Sequence, residues 1–267
     1  MAGNIERLIE VMAQLRNPDG GCPWDIEQTH ASIASDTLEE TYELVEAIEN
    51  NDAAAIKDEL GDVFLNVVFH AQLGSEAGLF DLDSVAGHVA DKMIERHPHV
   101  FGTRDVKTAH DVVVNWENDK EAKRKTKAAN EGSELSVLDS VSTALPASTR
   151  AVKLQKRAAR VGFDWAEAKD VLAKIKEEIG ELEHEIATGA GKDFLEDELG
   201  DVFFAVTNLA RKLNIDPEES LRRTNRKFER RFRGIEAELT KQGRKISEAS
   251  LEEMERIWNQ IKAEEKA

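Results

Sequence analysis

Asp58-Glu59-Leu60-Gly61-Asp62-Val63-Phe64 recurs letter for letter as Asp197-Glu198-Leu199-Gly200-Asp201-Val202-Phe203. Each copy follows a second acidic cluster. In the first half it is Glu39-Glu40-Thr41-Tyr42-Glu43, in the second Glu177-Glu178-Ile179-Gly180-Glu181. The unit is EExxE followed by ExxD, written twice, with the copies 138 residues apart at the first cluster and 139 at the second. So long a period is foreign to solenoid arrays and implies two related domains.

The stretches around the repeat read as helices. Only five prolines occur, and the proline-free runs 24–97 and 147–216 leave room for long helices and argue against a turn-rich β fold. Helices are expected over about 4–16, 27–50, 53–73, 82–97 and 108–128, then 146–160, 167–188, 193–213, 217–241 and 248–265. The breaks fall at turn chemistry: Asn50-Asn51-Asp52 in the first half, Gly189-Ala190-Gly191 in the second, and Asp216-Pro217 as an N-cap followed by proline at the first helical position. Trp24, in the Gly- and Pro-rich turn 17–25, is expected to dock on its domain. The fold class is therefore all-α: an N-terminal domain over 1–128, a linker over 129–136 and a C-terminal domain over 137–267, each built around an antiparallel helix pair.

Residues three apart on a helix share a face. Glu178 with Glu181, and Glu198 with Asp201, each form such a pair. Each pair lies on a shoulder of an apolar stripe, Leu172, Ile175, Ile179, Leu182 and Ile186 on one helix and Leu195, Leu199, Val202, Val206 and Leu209 on the next. Packing the stripes across the short 189–192 turn would let four carboxylates meet beside a core. Like charges so placed disfavour ionisation unless a cation joins them. A carboxylate-only donor set selects hard ions, Mg²⁺ with Mn²⁺ as substitute, and Mg²⁺ commonly shares its shell with substrate phosphates. The bland alternative is a solvated acidic face, and for a single ExxE it would prevail. A duplicated pair of pairs favours the metal site.

Those motifs resemble the all-α nucleoside triphosphate pyrophosphohydrolases, in the two-domain arrangement of the MazG family. Further stretches carry the resemblance along nearly the whole chain: Gly21-Cys22-Pro23-Trp24-Asp25, His97-Pro98-His99-Val100-Phe101-Gly102, Lys153-Leu154-Gln155-Lys156-Arg157-Ala158, Val161-Gly162-Phe163-Asp164-Trp165 and Asn225–Phe232. The resemblance implies Glu178, Glu181, Glu198 and Asp201 as metal ligands and catalytic residues. It implies Lys174 near the nucleotide, Lys227 and Arg231 on the phosphates, and Trp258 lining the nucleotide site. It implies an acid-anhydride hydrolase that turns NTPs or dNTPs into monophosphate and pyrophosphate, by attack of a metal-activated water on the α-phosphorus, as nucleotide-pool housekeeping. It also implies a homodimer. Which of Glu177, Glu178 and Glu181 serves as general base stays open, as does any regulatory protein partner.

In the first half Glu40, Glu43, Glu59 and Asp62 preserve every ligand type, and Lys92, Arg96 and Trp116 can imitate Lys227, Arg231 and Trp258. Thr37 and Thr41 replace Ile175 and Ile179, so that helix has a more polar stripe. This half is either a second metal site or a structural partner, and the main activity is expected in the C-terminal copy.

The totals narrow the remaining classes. A formal net charge of −17 over 267 residues repels nucleic acid and anionic membrane. The single cysteine, Cys22, excludes an internal disulfide and a cysteine-rich zinc site, and suits a reducing, cytoplasmic location. The N-terminus lacks the long apolar core of a signal peptide, and no run is apolar enough to span a bilayer. Two alternatives stand beside the hydrolase: a Mg-nucleotide sensor without turnover, and a di-iron carboxylate bundle suggested by the ExxH step Glu181–His184. The second needs an ExxH on two helices, and Glu46 stands where the first copy would supply its histidine.

Overall fold

Asn50, Asn51 and Asp52 end one long helix and start the next, and the same helix–turn–helix device recurs in the second half. In the computed structural model, residues 3–108, 111, 112, 114–116, 119, 136–139 and 141–265 are described. The chain divides into two compact units, Met1–Arg124 and Lys125–Ala267. Apart from Ser136 the expected linker 129–136 lies outside the described residues, as does most of the charged helix expected over 108–128. Among the described residues there is no strand, and no helix is long and apolar enough to cross a membrane.

The first unit contains α1 (Asn4–Leu15), α2 (Pro23–Glu27), α3 (Ala34–Glu49), α4 (Ala53–Glu76), α5 (Leu82–Arg96) and α6 (Pro98–Phe101). Asn51 takes a left-handed backbone, φ 54°, which its short polar side chain tolerates. Asp52 then accepts from the amides of Ala54 at 3.0 Å and Ala55 at 3.1 Å, capping α4. α3 and α4 pack along each other, and α1 crosses α4. The core is Met12, Ile33, Val68 and Phe69, flanked by Leu8, Phe64, Leu73 and Leu82. Arg16 clamps the Gly-rich turn. Its guanidinium donates to both oxygens of Glu76, at 2.9 and 2.7 Å, and to the carbonyls of Asp25 and Gln28, while lying over the Phe69 ring. Trp24 does not dock as expected. It is 57% exposed, because the backbone clamp of Arg16 holds the turn without the indole.

The second unit contains α7 (Ala147–Arg160), α8 (Ala168–Thr188), α9 (Lys192–Lys212), α10 (Pro217–Lys241), a 3₁₀ turn (Ile246–Glu248) and α11 (Leu251–Glu264). Gly189 closes α8 at φ 68°, a left-handed conformation that glycine adopts without a side-chain clash. α9 starts three residues later, at Lys192, so α8 and α9 lie antiparallel. α7 packs on α9, and α10 pairs with α11 around Ile235, Leu239 and Ile257. Asp216 caps α10 by accepting from Glu219 N at 3.0 Å.

The apolar stripes of α8 and α9 do not simply face one another. Leu172, Ile179 and Ile186 are 46%, 41% and 62% exposed, and Leu199 and Val206 are 42% and 45%. The α8 face turned inward carries Val171 and Glu178, one heptad apart, both buried. The carboxylate therefore sits on the packed face and the heptad-spaced stripe lies outside.

Candidate metal and nucleotide site

Glu178 is buried to 6% exposure, a costly place for a carboxylate unless a cation accompanies it. Lys174, one turn earlier, supplies that charge. Its ammonium lies 2.7 Å from Glu178 and 2.8 Å from Glu177. Hydrogen bonds to Glu177 and then Glu178 raise the Lys174 pKa above its ordinary value, so the lysine stays charged. Across the α8–α9 groove, oxygens of Glu178, Glu198 and Asp201 all come within 4.8 Å of one another. Glu181 stands beside this triad. Its hydrogen bond to Glu178, then burial, raises its pKa, with Glu198 adding repulsion. Carboxylates crowded in this way favour the protonated form unless a cation joins them.

The first unit repeats the arrangement with a poorer charge balance. Oxygens of Glu40, Glu43 and Glu59 lie within 4.8 Å of one another. Burial raises the Glu40 pKa first, followed by repulsion from Asp62, Glu43 and Glu59. Burial likewise leads for Glu59, followed by Glu43 and Asp62. Asp62 thus stands near the triad, as Glu181 does in the other copy. Among the described residues no lysine pairs with these acids. At the same 138-residue offset, Asp36 occupies the place of Lys174. The two threonines that replace isoleucines are satisfied locally: Thr37 donates to Ile33 O and meets His70 Nε2 at 3.3 Å, and Thr41 donates to Thr37 O at 2.7 Å.

The remaining expected residues gather elsewhere in the second unit. Arg231 lies 5.3 Å from the Trp258 ring centroid, and Phe228 tilts against the same indole at 5.5 Å. Trp258 also packs against the Ile235–Leu239–Ile257 core, so it is partly an anchor. Lys227 is exposed and makes no ion pair among the described residues. Among those residues no hydrogen bond or ion pair joins the group Lys227, Arg231 and Trp258 to the carboxylates. Sequence reading overlooked Glu265, which holds Arg231 at 2.7 Å and Arg230 at 2.7 Å. An acid 34 residues after Arg231 carries no local signal, and only the α10–α11 hairpin brings the two together.

In the first unit the parallel is looser. Trp116 donates from Nε1 to the carbonyl of Arg96 at 2.6 Å, and His97 meets its ring edge-on. Lys92 and Arg96 line one open groove on α5. His184, the residue of the ExxH step, is exposed, and it belongs to neither cluster of possible ligands.

The sequence profile of the MazG nucleotide pyrophosphohydrolase domain matches residues 28–101 and again 167–234, which takes in both helix pairs. A nucleoside triphosphate pyrophosphohydrolase of Escherichia coli (strain K12) is 43% identical over 262 residues, 98% of each chain. The nucleoside triphosphate pyrophosphohydrolase/pyrophosphatase MazG of Thermotoga maritima is 39% identical over 97% of this chain and 95% of its own. The uncharacterized protein YabN of Bacillus subtilis is 44% identical over 96% of this chain, which corresponds to 51% of YabN. With both repeats matched and relatives aligned end to end, the chain belongs to the MazG nucleotide pyrophosphohydrolase family.

Proposed function

We propose that the chain hydrolyses nucleoside triphosphates, ribo- or deoxyribo-, to the monophosphate and pyrophosphate with Mg²⁺, and that the α8–α9 pair is the principal site. The observation that carries this reading is the convergence of Glu178, Glu198 and Asp201 within 4.8 Å of one another. The donors are all carboxylate oxygens, which fits Mg²⁺, or Mn²⁺ in its place, and fits zinc or copper poorly. Such a metal, held by Glu178, Glu181, Glu198 and Asp201, supplies Lewis-acid charge for the phosphate oxygens and makes water a better nucleophile.

The chain's own groups do the rest. In the hydrolysis a water oxygen bonds to the α-phosphorus, the bond to the bridging oxygen breaks, and pyrophosphate leaves. The water's proton passes to a nearby carboxylate. Glu177 and Glu181 flank Glu178, and Glu181 already holds a proton more readily than an ordinary glutamate. Lys174, Lys227 and Arg231 neutralise phosphate charge, which matters most where the surrounding chain is acidic. Arg231 must exchange Glu265 for a phosphate to do so. Trp258 offers a ring on which any base can stack, consistent with broad base tolerance.

The chain acts as a homodimer in this reading. Leu172, Ile179 and Ile186 repeat every seven residues on the outside of α8, with exposed Leu199 and Phe203 on α9. A seam of that spacing suits the packing of a second helix pair. Glu40, Glu43, Glu59 and Asp62 form a second metal site of the same donor type, with Asp36 where the other copy offers Lys174 to the phosphates.

The test is product analysis with Mg²⁺ on wild type, Glu198→Ala and Glu59→Ala. Monophosphate and pyrophosphate, lost in Glu198→Ala and retained in Glu59→Ala, are expected. Activity retained in Glu198→Ala and lost in Glu59→Ala would move the chemistry to the first unit. Diphosphate with orthophosphate would refute the reaction.

A further inference from the structure

Helix α7 carries Arg150, Lys153, Lys156, Arg157 and Arg160 and no Asp or Glu in its 14 residues, within a chain of formal charge −17. Arg157 and Arg160 fall in the last turn, where the helix dipole favours cations. Lys153 and Lys156 sit mid-helix, one turn apart, where like charges weaken a helix. Both are exposed, and neither makes an ion pair among the described residues. Their placement costs helix stability and gains no partner inside the unit.

The two lysines line a cleft of about 340 Å³ between α7 and the turn joining α9 to α10, together with Thr149, Arg211, Asn214 and Asp216. Ion pairs hold the Arg211 side of it. Asp164 holds the Arg211 guanidinium and takes Lys212 at 2.7 Å, and Arg211 Nε donates to Asn208 at 2.8 Å. Asp216, the one acid among the lining residues, is committed to capping α10. Asn214 presents its amide from a left-handed backbone, φ 55°. Two unpaired ammonium groups, a hydroxyl and an amide around this cleft match the needs of a phosphate group.

We propose that this cleft binds a small phosphate-bearing anion, at a site distinct from the carboxylate cluster. Arg211 lies ten residues beyond Asp201 on α9, about 15 Å of helix. The size, at the low end for ligand pockets, suits phosphate or pyrophosphate better than a whole nucleotide. Binding here requires no metal, so the inference stands whether or not the Mg²⁺ reading holds.

Calorimetric titration of the full chain with inorganic pyrophosphate, at low ionic strength and in excess EDTA, tests it. Wild type and Glu198→Ala are expected to bind alike. Lys153→Ala/Lys156→Ala is expected to bind at least about tenfold more weakly, as loss of two charge-assisted contacts requires. Asn214→Gly, which keeps the left-handed backbone and removes the amide, is expected to weaken binding severalfold. Both variants replace exposed side chains, and thermal melts followed by circular dichroism check that they fold. Absence of metal-free binding in wild type overturns the proposal. So does binding that survives in the lysine variant, or binding that disappears in Glu198→Ala.

Discussion

Replacing Glu198 by Gln should remove most of the stabilisation by Mg²⁺ while raising stability without the ion. In the metal-free chain, Glu178, Glu198 and Asp201 bring carboxylate oxygens within 4.8 Å of one another. Two unit charges at that separation repel by about 1 kcal/mol in a water-like medium, and by about 3.5 kcal/mol at an effective dielectric of ~20. Asp201 is exposed and Lys174 partly neutralises Glu178, so the lower figure applies. The variant keeps the shape and removes one charge, so it should be about 1 kcal/mol more stable in EDTA, a rise of about 2–4 °C in Tm. Mg²⁺ at a hundred times its Kd stabilises a chain that binds it by about 2.7 kcal/mol. Wild type should therefore melt about 5–10 °C higher with Mg²⁺ than in EDTA. Glu198→Gln should show little of that gain. The assay is differential scanning calorimetry of both proteins with and without the ion. A variant that melts lower than wild type in EDTA, or one that keeps the full Mg²⁺ shift, would refute the reasoning.

Lys174→Met removes the cation that accompanies buried Glu178. It should cost about 1–3 kcal/mol in EDTA and much less with saturating Mg²⁺, read by chemical denaturation in both conditions. The raised carboxylates Glu181, Glu40 and Glu59 give a pH signature. Because their folded pKa values exceed the unfolded ones, the folded chain takes up protons first as pH falls. The metal-free protein should then gain stability on acidification from neutrality through those folded pKa values, and Mg²⁺ affinity should fall over the same range, as titrations from neutral pH downward will register. Ile179→Glu places a charge in the exposed seam of α8. It should shift the species seen by sedimentation velocity from dimer to monomer.

The helices were legible because their punctuation is local. The Asp52 and Asp216 caps, the Gly189 stop and the Pro217 start each act within four residues. The candidate metal site was legible for the same reason: i, i+3 spacing fixes which carboxylates share a face, and a three-residue turn fixes which helix they meet. Which face turns inward was not. Ile179 and Glu178 are neighbours in sequence, yet the charged residue is buried and the apolar one exposed. Periodicity alone assigns the apolar stripe to a core, without telling whether that core belongs to the chain itself. Trp24 misled for a related reason, since a long-range clamp by Arg16 on Glu76 stabilises the turn in place of the aromatic. Glu265 and the stacked pair His30–His70, whose Nδ1 atoms lie 2.8 Å apart, are likewise contacts between distant segments. No spacing rule reaches them.

The central claim is attack of water at the α-phosphorus, and turnover in ¹⁸O-labelled water with mass spectrometry of both products tests it most directly. The account predicts the label in the nucleoside monophosphate and none in pyrophosphate. Label in pyrophosphate would place the attack on the β-phosphorus and contradict it.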